Sequence, residues 1–167
     1  MADTASNREK FLRRYGGVYE RSPWVAEQCY EQARGIRDPE RLANIFARCV
    51  EEADEETRLA LIRAHPDLAD RAAIAGKLGA ASSEEQQSAG IDRCTPEEYA
   101  RFQVLNRRYK EKFGFPFVMA VRGSSREEIL AAFEARLENT RETEFVNAIA
   151  EIHKIASLRL QADANGQ

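Results

Sequence analysis

The chain has 167 residues, of which 43% are hydrophobic and 32% charged, a size and composition typical of one globular domain. Its 25 basic and 28 acidic residues give a net charge of -3, which argues against a nucleic-acid-binding protein because phosphate contacts require a basic excess. The three cysteines are widely spaced, and the sequence shows neither a secretory signal nor an apolar run of membrane-spanning length, so we expect a reduced, cytoplasmic protein that does not bind a membrane.

Helix start and stop signals recur along the chain. Ser, Asp and Thr cap the first turn of a helix through their side-chain oxygens, and proline is favoured just inside the start. Glycine favours a helix end, and a following proline ends a helix because the residue before it is disfavoured in the helical conformation. These signals predict helices from Ser22-Pro23 to Gly35, from Asp38-Pro39, from about Glu55 to Ala64 at His65-Pro66, from Thr95-Pro96 to near Gly114, from Ser124 or Ser125, and from about Glu142 to Leu160.

The fold class follows from the dominance of these helices. The only strand-like run, from Phe117 to Val121, is too short and too isolated to build a sheet. The sequence therefore predicts an all-α fold, a single compact multi-helix domain over residues 1–167 with about seven to nine helices and no significant sheet. We expect the two ends, residues 1–6 and 162–167, to be disordered.

The two histidines occupy different settings. His153 lies in the polar stretch of the last predicted helix, and we interpret it as a surface residue. His65 lies where the third predicted helix breaks, and the fixed φ of Pro66 would hold its imidazole in a defined direction. Two interpretations of His65 stay open on this basis: a charge favoured at a helix carboxyl terminus, or a group that transfers protons near neutral pH.

Two further positions have both a structural and a functional interpretation. Ser82 and Glu85 match a capping box, so Glu85 either bonds a backbone donor or belongs to a site. Arg159 gives a sharper signal, because helical periodicity puts it on the apolar face of the last helix. An arginine there is either part of a buried ion pair or a clamp for an anion in a pocket. The same face carries Phe145, Ile149, Ile152 and Ala156.

The motifs give no support for metal-dependent, nucleotide-dependent or covalent chemistry. No His, Cys or carboxylate residues have the spacing of a zinc site, so we expect no metal. No glycine-rich phosphate loop, GxSxG motif or readable Cys–His pairing is present. The helix that begins at Thr95 carries a basic cluster interrupted by acidic residues, which indicates a solvated face rather than a nucleic-acid site. Its basic residues are Arg101, Arg107, Arg108, Lys110 and Lys112.

A series of motifs follows one order along nearly the whole chain. They are Gly17-Val18-Tyr19-Glu20, Ser22-Pro23-Trp24, His65-Pro66-Asp67-Leu68, Ser82-x-x-Glu85-Gln86, Ala89-Gly90, Asn106, Tyr109, Lys112-Phe113-Gly114-Phe115-Pro116-Phe117, Arg122-Gly123, Glu151-Ile152, Lys154-Ile155 and Arg159-Leu160. Together they resemble the 2-oxo-4-hydroxy-4-carboxy-5-ureidoimidazoline (OHCU) decarboxylases of the uric acid pathway. One position departs from the family pattern, since Arg21 stands where the family commonly has a histidine before Ser-Pro-Trp.

The resemblance implies an all-helical, usually dimeric enzyme that converts OHCU to S-allantoin and CO2 without a cofactor. It implies that His65 is a general acid/base, that Glu85 accepts hydrogen bonds from substrate N–H groups, and that Arg159 binds anionic oxygens. It also implies substrate-binding positions at Pro66, Ser82 and the backbone amides of Phe117, Val118, Met119 and Ala120.

Two other functions stay open. A non-catalytic helical module that binds a protein or RNA partner would make His65 and Arg159 ordinary structural residues. A hydrolase of the preceding pathway step is the other, but the chain carries no additional transthyretin-like β domain. For the decarboxylase we expect a small-molecule substrate and a second copy of the chain as partners, and neither nucleic acid nor a membrane.

Overall fold

The computed structural model describes residues 6–69, 85–86, 90–91 and 94–166 of the chain. Within these ranges there are helices and no strand, so the predicted all-α fold is confirmed. No helix there has the length and apolar composition needed to cross a membrane. Seven helices are present in the described residues: α1 (Asn7–Tyr15), α2 (Trp24–Ala33), α3 (Pro39–Glu51), α4 (Glu55–Arg63), α5 (Pro96–Phe113), α6 (Arg126–Leu137) and α7 (Arg141–Asn165).

Three predicted helix starts are confirmed by their capping bonds. The side chains of Asp38, Thr95 and Ser125 each accept a hydrogen bond from a backbone N–H in the first turn of α3, α5 and α6. Ser22 does not cap α2 as expected, because its hydroxyl donates to the carbonyl of Glu20 at 3.0 Å instead. Ser22 therefore orders the chain before the helix rather than the helix itself.

The two ends of the chain differ from the prediction. Helix α1 is not among the predicted helices, although it begins with a complete capping box between Ser6 and Glu9. The last helix continues to Asn165, so residues 162–165, which we expected to be disordered, are helical. Asp163 in this extension forms an ion pair with Arg14 of α1, with 2.9 Å between Oδ2 and Nη2. This extension therefore makes a long-range contact that the sequence pattern did not reveal.

The described residues divide into two compact units. The first unit contains α1 to α4 and the part of α7 from His153 onward. Its core includes Phe46, which is fully buried and meets the rings of Phe11 and Tyr15 edge to face at centroid distances of 6.3 and 6.1 Å. Such pairs contribute about 0.5–1.5 kcal/mol each beyond the buried area.

The second unit runs from His65 to Ile152 and contains α5, α6 and the first half of α7. Tyr109 of α5 is fully buried at the centre of its core and contacts four phenylalanine rings. Gly114 ends α5 in the left-handed conformation at φ 81°, which turns the chain back toward Tyr109. The four rings belong to Phe113, Phe115, Phe117 and Phe133.

Candidate functional site

His65 begins a short segment that is held by the side chains of α5. The histidine is buried, with 8% of its surface exposed, and it follows the end of α4 in the sequence as predicted. Asn106 of α5 donates a hydrogen bond from Nδ2 to the carbonyl oxygen of Leu68 at 2.7 Å. The Oδ1 atom of Asn106 is buried and has no hydrogen-bond partner in the described residues. Asn106 therefore fixes the backbone near His65 through one end of its amide.

Two more side chains of α5 hold the same segment. Gln103 donates from Nε2 to the carbonyl oxygen of Ala69 at 2.9 Å, and Nζ of Lys110 lies 2.6 Å from Oδ2 of Asp67. Gln103, Asn106 and Lys110 are spaced by three and four residues, so they share one helix face. Lys110 was predicted to belong to a solvated basic face, and although it is half exposed, it forms an ion pair there.

Gln86, the residue after Glu85, is hydrogen-bonded to the His65 segment. The N–H of Ala69 donates to Oε1 of Gln86 at 3.3 Å, and Gln86 is buried. Ala69 has a positive φ of 53°, a conformation that costs a non-glycine residue about 1–3 kcal/mol and persists only where its surroundings impose it. Glu85 itself is partly buried. Ser82, the predicted partner of Glu85 in a capping box, lies outside the described residues.

The segment from Phe117 to Ala120 presents backbone amides that have no hydrogen-bond partner among the described residues. Phe117 and Val118 are buried, and Met119 and Ala120 are partly buried. Within the described part of the chain, none of their four N–H groups donates a hydrogen bond. A buried N–H without a partner costs free energy comparable to a lost hydrogen bond, so such groups favour a ligand that accepts. This segment therefore has the donors expected of an anion or carbonyl site.

The buried ion pair of Arg136 and Glu144 contacts the same segment at the carbonyl oxygen of Val118. Arg136 donates from Nη1 to the carbonyl oxygen of Val118 at 2.7 Å, and its Nε lies 2.7 Å from Oε1 of Glu144. Glu144 is fully buried. Burial raises the pKa of its carboxyl, but hydrogen bonds from Tyr109, Asn139 and Asn147 and the charge of Arg136 outweigh that effect, and the pKa lies below its ordinary value. The Arg136 guanidinium also stacks over the Phe117 ring at 4.4 Å.

Arg159 lies on the buried face of α7, as its periodicity predicts. Ile152 and Ala156 on that face are buried, and the Arg159 side chain is only 10% exposed. Its Nη2 lies 3.0 Å from Oε2 of Glu20, whose side chain is 11% exposed, and its Nη1 donates to the carbonyl oxygen of Val18 at 3.3 Å. Arg159 is therefore part of a buried ion pair, and the sequence did not reveal that Glu20 is its partner.

His153 is not the surface residue we expected. Its side chain is 21% exposed, and both ring nitrogens are engaged. Nδ1 lies 2.9 Å from the hydroxyl of Tyr19, and Nε2 lies 2.9 Å from Oε1 of Glu51. Burial of Tyr19 raises the pKa of its hydroxyl well above its ordinary value, so the hydroxyl stays protonated.

The described residues thus connect several of the predicted positions within the second unit. Hydrogen bonds link the His65 segment to α5 and to Gln86, and Tyr109 of α5 contacts the ring of Phe117. No cluster of three His, Cys, Asp or Glu side chains that could hold a metal ion occurs in the described ranges. The prediction missed Gln103 and Glu20, and only the helical spacing of Gln103 with Asn106 could have pointed to one of them.

The chain is similar to known proteins over nearly its whole length. The family model described as OHCU decarboxylase matches residues 4–161. The 2-oxo-4-hydroxy-4-carboxy-5-ureidoimidazoline decarboxylase of Halalkalicoccus jeotgali is 41% identical over 156 residues, which cover 93% of this chain and 86% of the relative. A crystal structure of (S)-allantoin synthase is 31% identical with a TM-score of 0.73, and the match covers 96% of this chain but 51% of that one. A crystal structure of OHCU decarboxylase in the presence of (S)-allantoin shares the fold, with a TM-score of 0.68 at 21% identity over 95% of this chain and 97% of the other.

Proposed function

The chain belongs to the OHCU decarboxylase family, and from this premise we propose that it converts OHCU to S-allantoin and CO2 through His65, Glu85 and Arg159. The family is one of carboxy-lyases that act in urate degradation. The observation that carries the proposal from the structure is the His65 segment, which three side chains of α5 contact at the consecutive residues Asp67, Leu68 and Ala69. Holding the backbone beside a histidine favours positioned proton transfer by its side chain.

The chemistry explains what the protein has to supply. In OHCU the carbon that bears the carboxylate and a hydroxyl is adjacent to a ring C=N. When the bond to the carboxylate breaks, CO2 leaves and the electron pair moves toward the C=N nitrogen, which takes a proton. The resulting enol becomes allantoin when its hydroxyl loses a proton and the carbon that bears the ureido group gains one. The substrate is its own electron sink, so we propose that no cofactor takes part.

His65 is proposed as the general acid/base that delivers the proton to carbon. Delivery from one fixed direction would give a single enantiomer, whereas protonation by water gives both. A proton transfer of this kind contributes about 10² to 10⁴ in rate. Pro66, which fixes the backbone after the histidine, is proposed to contact the substrate beside it.

The remaining groups are proposed to bind and orient the substrate. Glu85 accepts hydrogen bonds from ureido or ring N–H groups, and Arg159 binds anionic oxygens through its planar guanidinium. The amides of residues 117–120, which lack partners in the described residues, are proposed to donate to the carbonyl and carboxylate oxygens of the substrate. Ser82 is proposed as a further contact on the basis of the resemblance.

The direct test generates OHCU in solution from urate and follows its decay by ultraviolet absorbance and circular dichroism. We expect the protein to accelerate the decay and to give optically active allantoin, with the same rate in the presence of a chelator. Racemic product at the spontaneous rate would contradict the proposal. A non-catalytic interaction module would also fail a second measurement, because allantoin would not raise its melting temperature.

We also propose that residues 1–167 form one functional domain. We further propose that the protein is a homodimer and that it acts in the cytoplasm. The resemblance supports the dimer, and the family match over residues 4–161 supports the single functional domain. Cys29 and Cys49 are present as thiols, which suits a reducing compartment. Light scattering on a sizing column should give twice the chain mass of 18.9 kDa. A mass of one chain would contradict the dimer.

A further inference from the structure

The three residues from Val18 to Glu20 form a cradle around Arg159. The carbonyl oxygen of Val18 and the carboxylate of Glu20 accept from Nη1 and Nη2 of the same guanidinium, at 3.3 and 3.0 Å. Contacts at two different nitrogens fix the rotation of the planar group as well as its position. Without them, a long arginine side chain would sample many rotamers, and ordering it on substrate binding would cost free energy.

The residue between these two contacts is anchored separately. The hydroxyl of Tyr19 lies 2.9 Å from Nδ1 of His153, and Nε2 of His153 lies 2.9 Å from Glu51. Since the Tyr19 hydroxyl stays protonated, it donates to Nδ1 when the imidazole carries its proton on Nε2, and Nε2 then donates to the carboxylate. A single tautomer of the His153 imidazole therefore satisfies the bonds to both Tyr19 and Glu51. We call these three side chains, Glu51, His153 and Tyr19, the row.

This row of carboxylate, imidazole and hydroxyl does not act on the substrate directly. Tyr19 is 2% exposed and its hydroxyl is already bound to His153, so we assign it no contact with the substrate. The row instead holds Tyr19 in place, and the residues before and after it, Val18 and Glu20, contact Arg159. The hydroxyl of Ser22 adds a 3.0 Å hydrogen bond to the carbonyl of Glu20. The cradle is therefore anchored at Tyr19 and at Glu20.

We propose that Glu20 is a positioning residue for Arg159, and that Tyr19, His153 and Glu51 hold the backbone that lets Glu20 and Val18 orient the guanidinium. The inference rests on the proposed function, because it assigns Arg159 to substrate binding. It adds four residues that act through Arg159 without touching the substrate. Their effect on activity must therefore disappear when Arg159 is removed.

A competing role for Glu20 predicts the opposite sign. If its carboxylate only neutralised Arg159, it would weaken the attraction between the guanidinium and an anionic substrate. Replacing it by glutamine would then increase kcat/KM. If Glu20 orients the guanidinium, the same replacement removes the charged acceptor, and kcat/KM falls roughly tenfold, mainly through a higher KM. The direction of the change therefore separates the two roles.

The experiment is a double-mutant cycle on kcat/KM with OHCU generated from urate. Its arms are the wild type, Glu20→Gln, Arg159→Gln and the double variant, with Glu20→Asp added as the conservative replacement. We expect Glu20→Gln to have no further effect in the Arg159→Gln background, and Glu20→Asp to recover most of the wild-type kcat/KM. Circular dichroism and melting temperature establish that each variant is folded.

The second arm tests the anchor with a change of one hydroxyl. Tyr19→Phe keeps the ring and removes the bond to His153, and we expect kcat/KM to fall about threefold, again only where Arg159 is present. Tyr15→Phe is the matched control. Tyr15 is buried in the same unit, and its hydroxyl has no hydrogen bond to any described residue, so this variant should keep wild-type activity.

Each outcome bears on one of the two proposals. An inactive, folded wild-type chain overturns the proposed function, and this inference with it. An active wild type with additive effects of Glu20→Gln and Arg159→Gln, or with a higher kcat/KM in Glu20→Gln, overturns the inference alone. If the Glu20 variants do not fold, the Tyr19→Phe arm decides: an effect that persists in the Arg159→Gln background contradicts the inference.

Discussion

The amide nitrogen of Asn106 lies 2.7 Å from the carbonyl oxygen of Leu68, and this hydrogen bond is one of three side-chain contacts that join α5 to the segment that begins at His65. Both residues are buried. Because water does not replace a buried bond of this kind, its loss leaves the Leu68 carbonyl unsatisfied and frees the backbone beside the histidine. The position of the imidazole therefore depends on a side chain that is distant in sequence.

The first prediction concerns this bond. Asn106→Ala should lower the free energy of unfolding by about 1–3 kcal/mol, measured by urea titration, because a buried carbonyl loses its donor. It should also lower kcat/KM about tenfold or more in the folded protein, because small displacements of a catalytic group are costly. Asn44→Ala, at an exposed position of α3, is the control and should change neither quantity. Unchanged turnover in folded Asn106→Ala protein would show that the bond does not hold the histidine in place.

The second prediction concerns His65. We expect His65→Asn to lose about 10² to 10⁴ in decarboxylation rate while its melting temperature stays close to that of the wild type. The allantoin that still forms should be racemic, because protonation then comes from water. Rate and optical activity are both read from one circular dichroism time course. Near-normal turnover with optically active product would make His65 a helix-terminus residue without a chemical role.

The third prediction compares two arginines of the first unit. Arg159→Lys keeps the charge beside Glu20 but loses the planar fork, so kcat/KM should fall by about ten- to a hundredfold, equivalent to 1.5–3 kcal/mol. Arg14→Lys makes the same change in the ion pair with Asp163, and kcat/KM should not change. If Arg159→Lys instead lowers the melting temperature markedly and keeps kcat/KM, Arg159 is only a structural residue.

The fourth prediction follows from the lowered pKa of Glu144. A carboxyl with a lower pKa in the folded state stabilises the fold above the pKa of the unfolded chain, about 4.3, and loses that contribution as the pH falls through the folded pKa. At neutral pH, Glu144→Gln should cost about 3–5 kcal/mol, because it leaves the buried charge of Arg136 without its partner.

Urea unfolding at several pH values tests this sign. The stability difference between wild type and Glu144→Gln should be constant near neutral pH and should shrink below about pH 4. Glu142→Gln, an exposed position in the first turn of α7, is the control and should show no such dependence. A difference that grows with acidity would contradict the assignment.

Local signals in the sequence predicted the helices well. Asp38, Thr95 and Ser125 cap their helices because a capping bond joins residues only three apart, and such spacing is visible in the sequence. The same signal was present at Ser6 and Glu9 and could have revealed α1. Periodicity also gave the buried face of α7, and with it the position of Arg159.

Long-range partners could not be predicted in this way. Nothing in the spacing of the chain indicates that Glu20 pairs with Arg159, or that Asp163 in the last turns of α7 pairs with Arg14. His153 looked like a surface residue because its sequence neighbours are polar. Its partners come from elements that only the fold brings together, and burial of a polar side chain depends on those partners.

The number of residues in α5 is constrained more tightly than the identity of its exposed residues. Gln103 and Asn106 face the His65 segment, whereas Tyr109 is fixed in the aromatic core through its hydrogen bond to Glu144. Each residue turns a helix by about 100°. One residue inserted after Asn106 would therefore rotate Tyr109 relative to Gln103 and Asn106, so that either the core contacts or the contacts with the His65 segment would be lost. Substitutions at the exposed positions between them are compatible with both. Natural and engineered variants of this chain should therefore accept new side chains at the exposed positions of α5 and reject insertions or deletions within it.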